Sequence, residues 1–367
     1  MPSSVSCGIV GLPNVGKSTL FNALTNNNVL AANYPFATIE PNTGIVPVPD
    51  ERLTKLAELY HTQKIIPATV TFVDIAGLVA GASKGEGLGN QFLSHIRSVN
   101  AIIHVVRAFS DPNVVHVDTT INPQKDIEVI NTELVLADLQ TVEKRLPRLE
   151  KEARANPKLM PGVTALQQAQ TLLDANKALF TQKTSFDESS WQWLTHELQL
   201  LTMKPVIYAF NVDEEGLADE AKQRELAQLV APLKPLLVCA KLESELNSLD
   251  EVDRTELLAS YGQKESGLIQ LIRVAYTELG LQSFLTAGEK EVRAWTIPGS
   301  ATAPQAAGVI HGDFERGFIA AEIVEFKDLI SAGSMAEARK FGKVRTEGKD
   351  YHVQPDDVVE FRFNVSK

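Results

Sequence analysis

The chain contains 367 residues, of which 44% are apolar and 22% charged, and its formal net charge is −11. This length predicts two or three domains, and the composition excludes wholesale disorder. The acidic balance excludes a surface that is basic throughout, so any nucleic acid must bind to a local patch. Two cysteines are too few for a disulfide framework or a structural zinc site. No run approaches the ~18 apolar residues of a membrane span, so we expect a cytoplasmic protein that binds no membrane.

Five short apolar runs predict strands, because segments long enough for helices separate them. They comprise residues 6–10, 69–73, 101–106, 205–210 and 236–239. Strands that alternate with helices predict an α/β fold in which helices cover a mostly parallel sheet.

The interval between the third and fourth predicted strands is too long for one crossover connection. Apolar residues recur there every three or four positions, first after residue 132 and again after a break at 155–162. The two sets are Leu139, Val142, Leu146 and Leu149, and Leu166, Ala169, Leu173 and Phe180. This spacing predicts an antiparallel helical hairpin, inserted at about residues 132–200 into a domain that spans 1–280. Two ordinary amphipathic helices against the core remain the alternative.

The chain changes character near residue 280. Short strand-like pieces follow at 293–297 and 318–324, and after a turn at 354–357 the last strand has two distinct faces. The faces carry Val359, Phe361, Phe363 and Val365 on one side, and Val358, Glu360, Arg362 and Asn364 on the other. We expect residues 281–367 to form a compact mixed sheet with a helix.

The segment GLPNVGKST, residues 11–19, fits the phosphate-loop pattern and lies between a predicted strand and a predicted helix. Its glycines let the backbone curl so that N–H groups point at phosphates, and the following helix adds its positive end. Lys17 is expected to bridge the β- and γ-phosphates, Ser18 to bind Mg²⁺, and Thr19 to reach the α-phosphate. The nucleotide-binding residues predicted in this loop are Asn14, Val15, Gly16, Lys17, Ser18 and Thr19.

A second motif, DIAG at residues 74–77, follows the predicted strand at 69–73. Asp74 would hold Mg²⁺ through water, and the Gly77 amide would meet the γ-phosphate. Between the two motifs, Thr38 is the candidate for a second hydroxyl ligand of Mg²⁺ that arrives only with a γ-phosphate, and Thr43 is its rival. For either threonine, a turn or capping role is the alternative.

Leu78 follows Gly77, at the position where many hydrolytic proteins of this class carry a glutamine that orients the attacking water. Because an aliphatic side chain cannot hydrogen-bond water, hydrolysis must be slow or must borrow a polar group. His116, in a polar loop after the third strand, is the candidate, since imidazole can accept a proton near neutral pH. A loop or core histidine is the alternative, and the glycine-rich segment 81–89 is another source. Asn14 also makes K⁺ a candidate cofactor, in place of an arginine finger.

The fourth predicted strand runs into NVDE, residues 211–214, where a guanine-reading protein carries Asn-Lys-x-Asp. The Asp of that box accepts two hydrogen bonds from guanine, whereas adenine presents a ring acceptor that a carboxylate repels. Here Val212 replaces Lys, and Glu214 replaces Asp with one extra methylene. Asn211 or backbone carbonyls could then read the adenine amine. A loop at Cys239 and Ala240 is expected to close over the base.

Long segments of the chain resemble the YchF family, also called Obg-like ATPases. They include GLPNVGKSTLFNALT, DIAGLVAGASKGEGLGNQFLSHIR, FNVDEE and TAPQAAGVIHGDFERGFIAAE. The resemblance covers nearly the whole length and implies a P-loop NTPase G domain of Obg type with a helical insertion. It also implies a C-terminal TGS domain of ubiquitin-like β-grasp form, hydrolysis of ATP in preference to GTP, use of Mg²⁺ and association with ribosomes. The family's aliphatic replacement of glutamine falls on Leu78 and its candidate catalytic histidine on His116, while Cys239 stands where serine is usual in the wider class.

One basic stretch, at residues 338–352, alternates with aromatic residues in a pattern that can contact RNA. A solvated face explains a charge run equally well. The residues concerned are Arg339, Lys340, Phe341, Lys343, Arg345, Lys349 and Tyr351.

The resemblance and the motifs predict a monomeric, ATP-binding, nucleotide-switched ATPase that acts on ribosomes. The alternatives are a GTPase of the same fold in ribosome assembly, and a regulatory binding protein whose hydrolysis is incidental. We find no motif for the acceptor pocket of a metabolic kinase.

Overall fold

A computed structural model describes residues 5–26, 42–75, 88–110 and 121–364. The strands are β1 (Ser6–Val10), β2 (Thr43–Pro47), β3 (Ile65–Ile66), β4 (Thr69–Asp74), β5 (Ala101–Arg107), β6 (Val206–Asn211), β7 (Leu236–Val238), β8 (Leu281–Ala287), β9 (Val292–Pro298), β10 (Phe318–Glu325), β11 (Arg345–Glu347) and β12 (Asp357–Phe363). The helices are α1 (Lys17–Asn26), α2 (Glu51–Leu59), α3 (Leu88–Ser98), α4 (Pro123–Ala155), α5 (Met160–Asp174), α6 (Glu188–Leu198), α7 (Glu214–Ala218), α8 (Glu220–Val230), α9 (Ala240–Leu246), α10 (Glu251–Ser260), α11 (Gly267–Glu278), α12 (Ala303–Ile310), α13 (Gly312–Arg316), α14 (Phe326–Ala332) and α15 (Met335–Lys340).

The first sheet has the strand order β2-β4-β1-β5-β6-β7. β1 runs parallel to β4 and β5, and β6 runs parallel to β5 and β7. Every residue of β1, β5 and β6 is buried, as expected for a parallel sheet that is covered on both faces. This confirms the predicted α/β fold. Because parallel strands end at the same edge of a sheet, the loops that follow β1, β5, β6 and β7 begin there.

The insertion contains three α-helices where the sequence predicted a two-helix hairpin. α4, α5 and α6 share a buried core that includes Val142, Leu166 and Leu194, so the predicted stripes do face one another. α5 ends at Asp174, and Phe180 lies in a separate 3₁₀ segment, Leu179–Ser185. α6 therefore supplies the third side of this core.

Internal packing divides the chain into two units, which are residues 1–45 with 71–271 and residues 46–70 with 272–367. The second unit contains a mixed sheet of order β11-β10-β12-β8-β9-β3. β8 and β9 are antiparallel neighbours, while β12 runs parallel to β8 and antiparallel to β10. α12 packs against this sheet through small residues such as Ala303 and Ala307. A mixed sheet with a helix agrees with the prediction for the C-terminal part.

The last strand carries the predicted apolar face only in part. Val359 and Phe361 belong to the core of the second unit, whereas Phe363 is 37% exposed and stacks on Phe314 with ring centroids 3.7 Å apart. Val365 lies outside the described residues. Among the helices of the described ranges, none combines the length and the apolar character that a membrane crossing needs.

Candidate nucleotide-binding site

The loop between β1 and α1 has a conformation that depends on its glycines. Asn14 has a φ of 62° and Gly16 a φ of 88°, both in the left-handed region that favours glycine. A Cβ on Gly11 would lie 2.7 Å from the carbonyl oxygen of Val105, and a Cβ on Gly16 would lie 2.2 Å from Asn211 Nδ2. Both positions therefore exclude larger residues. The loop leads directly into α1, whose first N–H groups have no carbonyl partner within the helix.

The two charged residues predicted for the phosphate end form an ion pair. Lys17 Nζ donates to Asp74 Oδ1, and the two side chains are only 11% and 17% exposed. Asp74 is the last residue of β4, and its backbone N–H donates to the carbonyl of Asn42 at 2.8 Å. The structure thus places this carboxylate against the lysine of the phosphate loop.

Asn211, the last residue of β6, joins two loops of the site. Its Nδ2 donates to the carbonyl oxygen of Val15 at 2.9 Å, and its Oδ1 accepts from the backbone N–H of Ala240 at 3.0 Å. The residue is 7% exposed. Because both ends of the amide serve backbone groups, Asn211 holds the phosphate loop and the loop after β7 together. Of the two predicted readers of the adenine amine, the backbone carbonyls are therefore the stronger candidates.

The backbone N–H of Val212 and the side chain of Asp213 are both engaged in hydrogen bonds within the protein. Val212 is 2% exposed, and its N–H donates to the carbonyl of Val238 at 2.9 Å. Asp213 begins the next helix as an N-cap, with its carboxylate accepting from the Gly216 N–H at 2.9 Å. The position of the guanine-box lysine is thus occupied by a short apolar wall residue.

Glu214 stands in the place of the guanine-reading aspartate and has a partner of its own. Its Oε1 accepts from Lys241 Nζ at 2.7 Å. This hydrogen bond lowers the pKa of the Glu214 carboxyl group. The side chains are 26% exposed for Glu214 and 72% for Lys241. The acidic group at the base end is therefore an ionised carboxylate already engaged by an ammonium.

Cys239 is the N-cap of α9, where its Sγ accepts from the Leu242 N–H at 3.5 Å. Burial raises the pKa of its thiol to about 11. Cysteine at the position of the usual serine therefore still caps the helix. Its sulfur is a weaker hydrogen-bond acceptor than a hydroxyl oxygen.

A cavity of about 800 Å³ connects the phosphate and base loops. This volume is typical of small-molecule sites, which span roughly 300–1,000 Å³. The predicted residues that line it are Asn14, Gly16, Lys17, Ser18, Thr19, Asn211, Val212, Glu214, Cys239 and Ala240. Val15 is buried, does not line the cavity and contributes the carbonyl that Asn211 binds. The structure brings together the phosphate and base motifs, which are far apart in the sequence.

The cavity also has lining residues that the sequence did not single out, among them Phe109, Ser110 and Lys241. Phe109 is held by the buried Arg107, whose guanidinium lies 4.4 Å from the ring centroid and whose Nε donates to the Phe109 carbonyl at 3.3 Å. A signal for Phe109 and Ser110 was present, because they lie in the loop that follows a predicted parallel strand, the usual place for ligand-binding residues.

Three predicted residues, Thr38, Gly77 and His116, lie outside the described residues, as does Leu78. Thr43, the rival of Thr38, is the first residue of β2. Within the described ranges, no group of three or more His, Cys, Asp or Glu side chains could hold a metal ion.

The basic stretch of the second unit is largely paired with carboxylates. The ion pairs are Arg339 with Glu322 at 2.6 Å, Lys340 with Glu337 at 2.6 Å, Lys343 with Asp328 at 3.3 Å and Arg345 with Asp357 at 3.6 Å. Phe341 nevertheless is 68% exposed. The stretch therefore offers an exposed aromatic ring but less uncompensated positive charge than its sequence indicated.

Family models match both parts of the chain. The model YchF-GTPase_C, described as a protein of unknown function, matches residues 281–364. A model described as a 50S ribosome-binding GTPase matches residues 6–138.

Similar proteins span the whole chain. A Bacillus subtilis protein named ribosome-binding ATPase YchF is 50% identical, over 99% of this chain and 100% of that protein. A Mycoplasma genitalium protein of the same name is 47% identical, over 99% of this chain and 100% of that protein. The solved structure of the Schizosaccharomyces pombe YchF GTPase has a TM-score of 0.87 at 37% identity, and the match covers 99% of each chain.

Proposed function

Because the chain belongs to the YchF family, we propose that it is a ribosome-associated ATPase that hydrolyses ATP to ADP and phosphate and binds ATP in preference to GTP. The observation that carries this proposal is the cavity, in which a complete phosphate loop faces a base end without the guanine-box lysine and aspartate. The bound nucleotide would switch the state of the ribosome-associated protein. The protein would act in the cytoplasm.

At the phosphate end, the residues present suit Mg²⁺. This ion is usually held by one or two carboxylates together with phosphate oxygens and waters, so a larger cage of acidic side chains is not needed. Ser18 would supply a hydroxyl ligand and Asp74 a carboxylate acting through water, with Thr38 joining them in the triphosphate state. When bound, Mg²⁺ neutralises charge on the β- and γ-phosphates. Lys17, now paired with Asp74, would exchange that partner for the phosphates.

Hydrolysis would depend on groups from three loops. The Gly77 amide would donate to the γ-phosphate, and His116 would orient the attacking water in place of the usual glutamine. Asn14 is the candidate for holding K⁺ near the phosphates. Undiminished turnover in His116→Ala would remove the role of the histidine, and equal turnover in K⁺ and Na⁺ would remove that of the monovalent ion.

At the base end, adenine would meet a wall of Val212, Ala240 and Cys239 and be read by backbone carbonyls. The test is competition of ATP and GTP for the purified protein at equal Mg²⁺. Tighter binding of GTP would favour the alternative of a ribosome-assembly GTPase. The match of residues 6–138 to the model described as a 50S ribosome-binding GTPase is the observation that supports this alternative.

The ribosome is the proposed partner, with contact through the second unit, which we propose to be a TGS domain. Turnover measured with and without ribosomes tests this, and stimulation is expected. Ribosome binding without any stimulation would favour a regulatory binding protein with incidental hydrolysis. Neutralising the five basic side chains of residues 339–349 should weaken binding if that stretch is the contact.

A further inference from the structure

Glu214 and Lys241 form an ion pair at the base end of the cavity, and both residues line it. The distance of 2.7 Å between Lys241 Nζ and Glu214 Oε1 is that of a charge-assisted hydrogen bond. The partners come from different elements, since Glu214 begins α7 after β6 and Lys241 lies in the first turn of α9 after β7. The pair therefore spans the two loops that carry the base end.

A carboxylate at the position of Glu214 is the group that recognises guanine in proteins with the full box, because guanine presents two adjacent N–H donors. An unpaired carboxylate would attract these donors and would repel the ring acceptor of adenine. The ammonium of Lys241 compensates the negative charge and occupies one carboxylate oxygen. Both the attraction for guanine and the repulsion of adenine are then reduced.

Asp213 is the other acidic residue among the described cavity-lining residues. Its carboxylate is not available to attract guanine or to repel adenine. Asp213 Oδ1 accepts from the Gly216 N–H at 2.9 Å and lies 3.5 Å from Lys222 Nζ. Its carboxylate is therefore used by the helix cap. The charge state of the base end depends on Glu214 and on the group that pairs with it.

We propose that Lys241 is a specificity-determining residue, which favours adenine nucleotides by holding the Glu214 carboxylate in an ion pair. The inference rests on the proposed ATP preference and names a residue that produces it. On this view, discrimination against GTP does not depend only on the extra methylene of Glu214. Substitution of Lys241 alone should change the selectivity between ATP and GTP.

The test compares four forms of the full chain: wild type, Lys241→Gln, Glu214→Gln and the double variant. Dissociation constants for ATP and GTP are measured by calorimetry with Mg²⁺, and thermal melting verifies folding. We expect Lys241→Gln to raise the affinity for GTP relative to ATP about fivefold, a modest factor because the pair is partly exposed. In the Glu214→Gln background, the same lysine substitution should leave the ratio unchanged, since no carboxylate remains to be released.

Lys222→Gln is the matched control, because Lys222 forms a comparable pair with Asp213 but does not line the cavity. Its GTP-to-ATP ratio should equal that of wild type.

An unchanged ratio in Lys241→Gln overturns the inference. So does an equal loss of affinity for both nucleotides, which would indicate that the lysine contacts a part that ATP and GTP share. A wild-type protein that prefers GTP refutes the proposed function whatever the variants do. A wild-type preference for ATP with a ratio that no variant moves refutes only the role of Lys241.

Discussion

Gly16 and Asn211 approach each other so closely that a Cβ on the glycine would lie 2.2 Å from the asparagine Nδ2. The amide of Asn211 uses this space to reach the carbonyl of Val15. The phosphate loop and the altered guanine box are therefore packed against each other. A substitution in one of them should disturb the conformation of the other.

We expect Gly16→Ala to lower nucleotide affinity at least tenfold. The new Cβ must displace Asn211, and alanine at a φ of 88° adds strain of about 1–2 kcal/mol. Titration with a fluorescent ATP analogue measures the loss, with thermal melting as a check of folding. Gly288→Ala is the control, because a Cβ there meets nothing within 4 Å, and it should bind normally. Wild-type affinity in Gly16→Ala would contradict the close packing.

Asn211→Ala should weaken ATP and GTP binding by similar factors, of about tenfold. The substitution leaves the carbonyl of Val15 and the N–H of Ala240 without their partner, and each unsatisfied buried group costs about 1–3 kcal/mol. Competition binding of both nucleotides provides the measurement. Asn131→Ala is the control, since that amide bonds the Tyr208 hydroxyl at 3.2 Å and lines no part of the cavity. A selective loss of ATP binding would show instead that Asn211 reads the base.

His104 should make the protein sensitive to acid. It is 1% exposed, its Nε2 has no hydrogen-bond partner among the described residues, and burial lowers its pKa to about 3. The folded state thus keeps it neutral, whereas the unfolded chain protonates it below its ordinary pKa of about 6.5. The stability it contributes is present above that pH and is lost toward pH 3, at about 1.4 kcal/mol per pH unit.

His104→Phe preserves an aromatic neighbour for Tyr208, whose ring centroid lies 5.4 Å away. Urea unfolding of both proteins at several pH values between 7 and 4 should give a flatter dependence for the variant. Parallel curves would show that His104 does not titrate in this window.

Both cysteine thiols should be unreactive in the folded protein. Burial raises the pKa of Cys7 to about 12 and that of Cys239 to about 11, so the thiolate fraction at pH 8 is on the order of one in a thousand or less. A disulfide reagent should label neither thiol without denaturant and both with it. Bound ATP should slow any residual labelling of Cys239, which lines the cavity. Rapid labelling of the native protein would show that the site opens.

Five strands of the first sheet could be predicted because their apolar runs are short, buried and bounded by turns, whereas β2 was not foreseen. The strands predicted at residues 6–10, 69–73 and 101–106 begin in the structure at the expected first residues, Ser6, Thr69 and Ala101. α6 and the separation of Phe180 from α5 were not foreseen, since amphipathic spacing indicates a buried face but not the number of helices that share it. The packing of residues 46–70 with 272–367 is a tertiary fact without a local signal.

The sequence by itself determined the phosphate chemistry of this protein, because the spacing of Gly11, Gly16, Lys17 and Ser18 dictates a local backbone shape and needs no distant partner. It also determined the fold class and the loss of the guanine box at Val212 and Glu214. Only the tertiary structure decided what those residues contact: Lys17 meets Asp74, Asn211 meets Val15, and Glu214 meets Lys241. The reason is that parallel strands bring loops from distant parts of the chain to one edge of the sheet, where side-chain partners follow from strand order and not from sequence spacing.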